Sequence, residues 1–206
     1  MKRKGVLVFL WSCASFVLAA LSFAFVIAVA MIDARLFGPG CFTESSLIEI
    51  VQELELLAAA ILFCALGNLR RKRLFLLAAG LIACMLIREL DALFDMVWHG
   101  CWFYAALACA GIFLAAGLRR GLQAPLQEME GFTRGPAFAV LFAGLVVVLV
   151  VSRLLGMQAF WDAALAANFP YKLKRIIEET LELWGYTLIL SSALLYLIAP
   201  QKEPGP

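Results

Sequence analysis

Apolar residues run along this chain in six long stretches separated by short polar or Gly/Pro-containing breaks, at about 6–31, 46–67, 74–98, 101–118, 136–156 and 173–199. Each is close to the roughly 20 residues that a helix needs to cross a bilayer. The pattern predicts an all-α, polytopic membrane protein, six helices in one bundle forming a single domain over residues 1–206. The first stretch follows the basic start Met1-Lys2-Arg3-Lys4 and contains Ala28-Val29-Ala30, as a cleaved signal would. Its apolar run is well beyond the roughly 7–15 residues of a signal core, so it reads as an uncleaved first span. Between the third and fourth stretches only His99-Gly100-Cys101 remains, which predicts an antiparallel hairpin.

Composition agrees with this class. Hydrophobic residues make up 64% of the chain and charged residues 16%, against about 25% charged in a soluble domain. A formal net charge of +2 excludes an electrostatic case for nucleic acid, and the basic residues count through their position. With both termini cytoplasmic, eleven of the seventeen fall on the inner side: Lys2, Arg3, Lys4, Arg70, Arg71, Lys72, Arg73, Arg119, Arg120, Arg134 and Lys202. Five fall outside, namely Arg35, Arg153, Lys172, Lys174 and Arg175, and Arg88 lies within a span. That bias predicts an N-in, C-in protein of a bacterial-type inner membrane. The inner connection Arg119–Gly135 reads as a solvated loop. The outer one, Gly156–Tyr171, carries Phe160, Trp161, Phe169, Pro170 and Tyr171 and suits the headgroup layer, and the tail Pro200–Pro206 reads as disordered.

The third stretch departs from the hydrocarbon pattern. It carries Arg88, Glu89, Asp91, Asp95 and His99, each costly at bilayer depth and therefore a candidate for function. Arg88, Asp91, Asp95 and His99 recur at three- and four-residue intervals and form one helical stripe, with Glu89 to the side. The second stretch brings Glu49, Gln52, Glu53 and Glu55, and the sixth brings Arg175, Glu178, Glu179, Glu182 and Tyr186. By helical rise Glu53 lies roughly 12 Å below Ser45, Glu89 roughly 15 Å below His99 and Glu182 roughly 15 Å below Lys172. The acids thus fall at one level in the outer half. Glu55 lies on the face opposite Glu53 and is the weakest member.

Simpler roles compete at several positions. Ser46-x-x-Glu49 has the form of a capping box. Lys172, Lys174 and Arg175 suit snorkelling to the outer headgroups, His99 a bond within the hairpin turn, and Arg88 with Glu89 or Asp91 a structural ion pair. The deep acids resist such readings, because Glu53, Glu89, Asp91, Asp95, Glu178, Glu179 and Glu182 outnumber Arg88 and Arg175. Such a surplus at close range in low dielectric calls for a shared proton or a cation.

Three functions fit. The first is an enzyme acting on a lipid or lipid-linked substrate. Glu53, Arg88, Glu89, Asp91 and Glu182 would be its catalytic set, and Asp95, His99, Glu178 and Glu182 would hold a divalent cation such as Mg, Mn or Zn. Arg88 or Arg175 would hold a phosphate or carboxylate. The metal signal is weak, with a single His, no Glu-x-x-His and no His-Glu-x-x-His. The second is proton or cation transport, which buried acids also serve. Against it stand the small size, the lack of an inverted repeat and an inner half that is nearly all aliphatic. The third is an accessory or sensor subunit whose charges meet those of a partner membrane subunit. No Gly-x-Ser-x-Gly elbow, phosphate-cradling glycine loop or Cys-x-x-Cys pair is present. Cys13, Cys64, Cys84 and Cys109 read as packing residues within spans, whereas Cys41 and Cys101, both outer, could form a disulfide in an oxidising periplasm.

Overall fold

The structure, a computed structural model, describes residues 2–38, 41–42, 46–165 and 171–198. Phe169, Pro170 and the tail Pro200–Pro206 lie outside the described residues. All regular elements described are helical: α1 (Lys2–Phe37), α2 (Leu47–Leu69), α3 (Arg73–Glu89), α4 (Asp91–Asp95), α5 (Cys101–Leu118), α6 (Gln123–Thr133), α7 (Pro136–Val146), α8 (Arg153–Leu155), α9 (Gln158–Leu165) and α10 (Tyr171–Ile198). A π-helical turn, Val147–Ser152, joins α7 to α8. Among the described residues five helical segments are long and apolar enough to cross a membrane: Phe16–Phe37, Leu47–Leu69, Cys101–Leu118, Pro136–Leu155 and Tyr171–Ile198.

The third stretch differs from its expected course. Its helix ends at Glu89 rather than near 98, Leu90 leaves helical geometry, and only the five residues of α4 follow before the turn into α5. The turn is closed locally. Asp95 accepts the Gly100 N–H at 2.8 Å and the His99 Nδ1 at 2.8 Å, and Gly100 takes the left-handed conformation at φ 82°. Asp91, Asp95 and His99 therefore do not continue a stripe from Arg88. The hairpin itself forms, with α3 and α5 packed along their length; Cys84 Sγ lies 3.4 Å from the Ala106 carbonyl, and Gly80 and Gly117 make room for Phe113 and Leu77.

The connection 119–135 likewise differs from a plain loop, because it contains α6. Phe132 of α6 inserts into an aromatic core with Phe75 and Tyr196, at centroid separations of 5.3 and 5.6 Å. Glu128 of the same helix accepts the Leu74 N–H at 2.8 Å, satisfying one of the orphan donors of α3. The start of α2 is served in the same way. Ser46 makes no side-chain cap bond, so the expected capping box does not supply it. Instead Asp33 of α1, fully buried, accepts the Leu47 N–H at 2.6 Å and the Ile48 N–H at 3.4 Å, and its other oxygen takes the Phe42 N–H at 2.8 Å. In both cases a carboxylate from another segment faces the positive end of a helix dipole.

The scaffold around α10 fixes the rest. Gly144 of α7 and Gly185 of α10 let the two backbones touch, since a Cβ on Gly144 would lie 2.7 Å from the Gly185 carbonyl oxygen. Small residues permit this approach where burial from water cannot drive helices together. Ser192 adds a bond to the Ala137 carbonyl at 2.8 Å. The π turn that follows holds one residue more than an α turn, which rotates what comes after it by roughly 100°. Ser152 and Arg153 thereby face α10. On the other flank α1 is tied by Trp184, whose indole N–H meets Ser22 Oγ at 3.1 Å and whose ring stands edge-on to Phe23. Cys41 and Cys101 are free thiols, Cys41 being buried beside Val26, Phe42 and Ile48, so the possible disulfide does not form.

Candidate functional site

Glu182 is the centre of the polar cluster. It lies three turns into α10, is 4% exposed, and receives groups from three other elements. Arg153 of α8 pairs directly with its Oε1, Ser152 Oγ lies 3.2 Å from the same atom, and Arg88 of α3 stands 3.9 Å away. Burial of an unpaired carboxylate would be prohibitive, and two guanidinium groups offset that cost. Arg153 also reaches Glu178 Oε1 at 3.4 Å, one turn nearer the start of α10. Gly156 follows α8 beside that carboxylate, a place where a Cβ would collide with it.

Arg88 and Glu89 form an ion pair at the end of α3. Arg88 suits the negative end of the helix dipole, and Glu89 does not. The Tyr186 hydroxyl, almost fully buried on α10, donates to Glu89 Oε1 at 2.7 Å and holds it there. The early end of α3 matters for this arrangement: Leu90 turns away, so the last two residues of the helix meet α10 at the level of Glu182.

The second helix closes the other side. Gln52, with no exposed surface, donates from Nε2 to the Glu179 carbonyl at 3.0 Å and to Glu179 Oε2 at 3.2 Å. Arg175 Nε lies 3.9 Å from Glu179 Oε1. Glu53 is half-buried and close enough to Glu89 for their charges to interact. Two residues further along, Glu55 departs from the expectation that it is the weakest member. It is buried, and the Thr187 hydroxyl donates to it at 2.9 Å across the α2–α10 seam. Its position opposite Glu53 carries it toward α10 rather than toward lipid.

Of the residues expected from sequence, Arg88, Glu89, Glu178 and Glu182 come together, and Glu53 stands at their edge. Asp91 is exposed on α4, Asp95 is engaged with Gly100 and His99, and the His99 side chain is 98% exposed. Those three lie apart from Glu182 because the helix stops before them. Among the described residues no three His, Cys, Asp or Glu side chains gather as a metal ion requires. Sequence reasoning missed Arg153, Ser152 and Asp33. Arg153 ends an aliphatic run and reads there as a boundary residue. The usable signal was that an Arg three residues inside the drawn end of a span needs an acidic partner. Lys174 stands over the Tyr171 ring at 5.2 Å, and Arg175, grouped with it and Lys172 in the sequence, turns toward Glu179.

Compared with protein-family models, curated proteins and solved structures, the chain matches none. The geometry therefore carries the functional reading. It also generates a direct energetic test. Arg153→Met removes the main partner of a buried carboxylate and is expected to destabilise the protein by about 3–5 kcal/mol. Adding Glu182→Leu to that variant removes the orphaned charge and restores most of the loss. Reversible unfolding in mixed micelles, read by tryptophan fluorescence, checks both; strictly additive losses would show that the two side chains do not pair.

Proposed function

We propose that the chain is a six-span inner-membrane protein with both termini in the cytoplasm, and that its outer-half polar cluster is an acid–base site for a lipid or lipid-linked substrate. In this reading α3, third in chain order, is a span in addition to the five long apolar segments; its 17 residues are short for the hydrocarbon core, and α4 completes the crossing. The basic residues Arg70–Arg73 and Arg119–Arg120 at the far end support the orientation. Cysteine labelling tests it: in cells Trp98→Cys is expected to react with an impermeant maleimide, and Arg120→Cys only after permeabilisation. The opposite pattern overturns the orientation.

The observation that carries the chemical part is Glu182, a buried carboxylate between two arginines from different helices, with the Ser152 hydroxyl on the same oxygen. Glu182 and Glu89 are the proton-exchanging groups, and Arg88 and Arg153, each about two-fifths exposed, hold the anionic part of the substrate. Acid–base chemistry is favoured over metal-assisted chemistry because the expected ligands Asp95 and His99 lie outside the cluster. A lipid-borne substrate is supported by an apolar crevice of about 620 Å³ lined by Val151, Leu154, Leu155, Met157, Ala159 and Phe160, formed by the segment that carries Arg153. The aromatic core of Phe63, Phe75, Phe132 and Tyr196 fills the other end of the bundle, which speaks against a through-path for ions.

One observation favours a second reading. Glu182 Oε1 is already paired with Arg153 and has Ser152 Oγ and Arg88 within 3.9 Å, as it would if the network were a latch in an accessory subunit. Reconstitution separates the two. Purified protein in vesicles of bacterial lipid extract is expected to convert one lipid class, read by mass spectrometry. Glu182→Gln and Arg88→Gln, folded by circular dichroism, should lose the conversion by about 100-fold. No lipid change with the wild type leaves the latch reading and overturns the enzyme.

A further inference from the structure

The cluster contains one buried acceptor that no neighbour satisfies. The Gln52 amide is fully enclosed; its Nε2 is engaged with Glu179, and its Oε1 has no hydrogen-bond partner among the described residues. Rotating the amide does not help, because the oxygen would then face the Glu179 carbonyl and carboxylate, two further acceptors. An unmet acceptor at this depth costs about 1–3 kcal/mol. Something with a positive charge or a proton to donate is the natural complement.

The surrounding charges point the same way. Glu179 faces the charges of Glu89 and Glu178, and Glu53 that of Glu89. Arg88 pairs with Glu89 and approaches Glu182, and Arg153 serves Glu178 and Glu182. At Glu179 the charged group present to oppose this field is Arg175, at 3.9 Å. Gln52 and Glu179 therefore border a seam between α2 and α10 that is rich in oxygen and short of positive charge. A divalent ion suits it poorly, since among the described residues these carboxylates do not converge closely enough to share one ion.

We propose that this seam binds a singly charged cation, seated between Gln52 Oε1 and the Glu179 carboxylate, with Glu53 and Glu89 supplying the attractive field. An amide oxygen and a carboxylate serve an alkali ion and a protonated primary amine equally well, so the source is either a free ion or an aminolipid headgroup. The site does not depend on the cluster performing catalysis; a latch with the same seam would bind the same ion.

Thermal unfolding of the purified full-length protein tests this at constant ionic strength, with choline chloride replaced stepwise by sodium chloride or by ethanolamine hydrochloride. The wild-type midpoint is expected to rise saturably with at least one of the two. A response to sodium alone assigns a free ion, one to ethanolammonium alone an aminolipid headgroup, and one to both an unselective monovalent site. Gln52→Leu, close in volume, and Glu179→Gln should each weaken the apparent affinity about tenfold or more. A wild-type midpoint indifferent to both salts overturns the proposal whether or not either variant folds. Unchanged cation dependence in both variants overturns it as well.

Discussion

A carboxylate three turns inside an apolar bundle is costly unless donors or cations reach it from neighbouring segments, and at Glu182 this protein offsets that cost with two arginines. Doing so sets the positions of three elements at once. α3 must stop at Glu89 so that Arg88 arrives at the right depth. The helical segment that begins with α7 must turn its last residues toward α10, which the π turn at Val147–Ser152 accomplishes. α7 and α10 must approach closely enough for Arg153 to reach across, and Gly144 and Gly185 permit it. Packing and electrostatics are thus one problem here.

The same rule governs the backbone. In a low-dielectric surround the open N–H groups at a helix start need acceptors, and this chain supplies them from other segments: Asp33 of α1 for α2, Glu128 of α6 for α3. These bonds orient the helices they cap, and therefore fix where Gln52 and Arg88 stand along their axes. The seam between α2 and α10 inherits its shape from them, with Gln52 against Glu179 above and Glu55 against Thr187 below.

Hydropathy and helical spacing made the long apolar helices legible, along with the shared level of Arg88, Glu89, Glu178 and Glu182, because both depend only on residues near one another in sequence. The break after Glu89 was harder to read. No Gly or Pro occurs between Glu89 and His99, and the apolar residues of α4 continue the pattern of a span. At Leu90 the backbone leaves helical geometry, and beyond α4 the Asp95 carboxylate binds Gly100 and His99 in the turn that leads into α5. The pairings of Arg153, Asp33 and Glu128 were illegible for a different reason. Their partners lie 29, 14 and 54 positions away, and periodicity within a segment holds no information about such pairing. The expected ligands Asp95 and His99 failed with the stripe on which they rested.

The central claim is that acids and arginines from α3, α8 and α10 share one buried site. Its most direct test is a solid-state NMR dipolar-recoupling measurement in lipid bilayers, between 13C at the Glu182 carboxyl and 15N in the Arg153 guanidinium. The account predicts the strong dephasing of a direct ion pair, lost in Arg153→Lys labelled only at arginine. Absence of dephasing in the wild type would mean that the two groups do not meet, and the site would not exist as described.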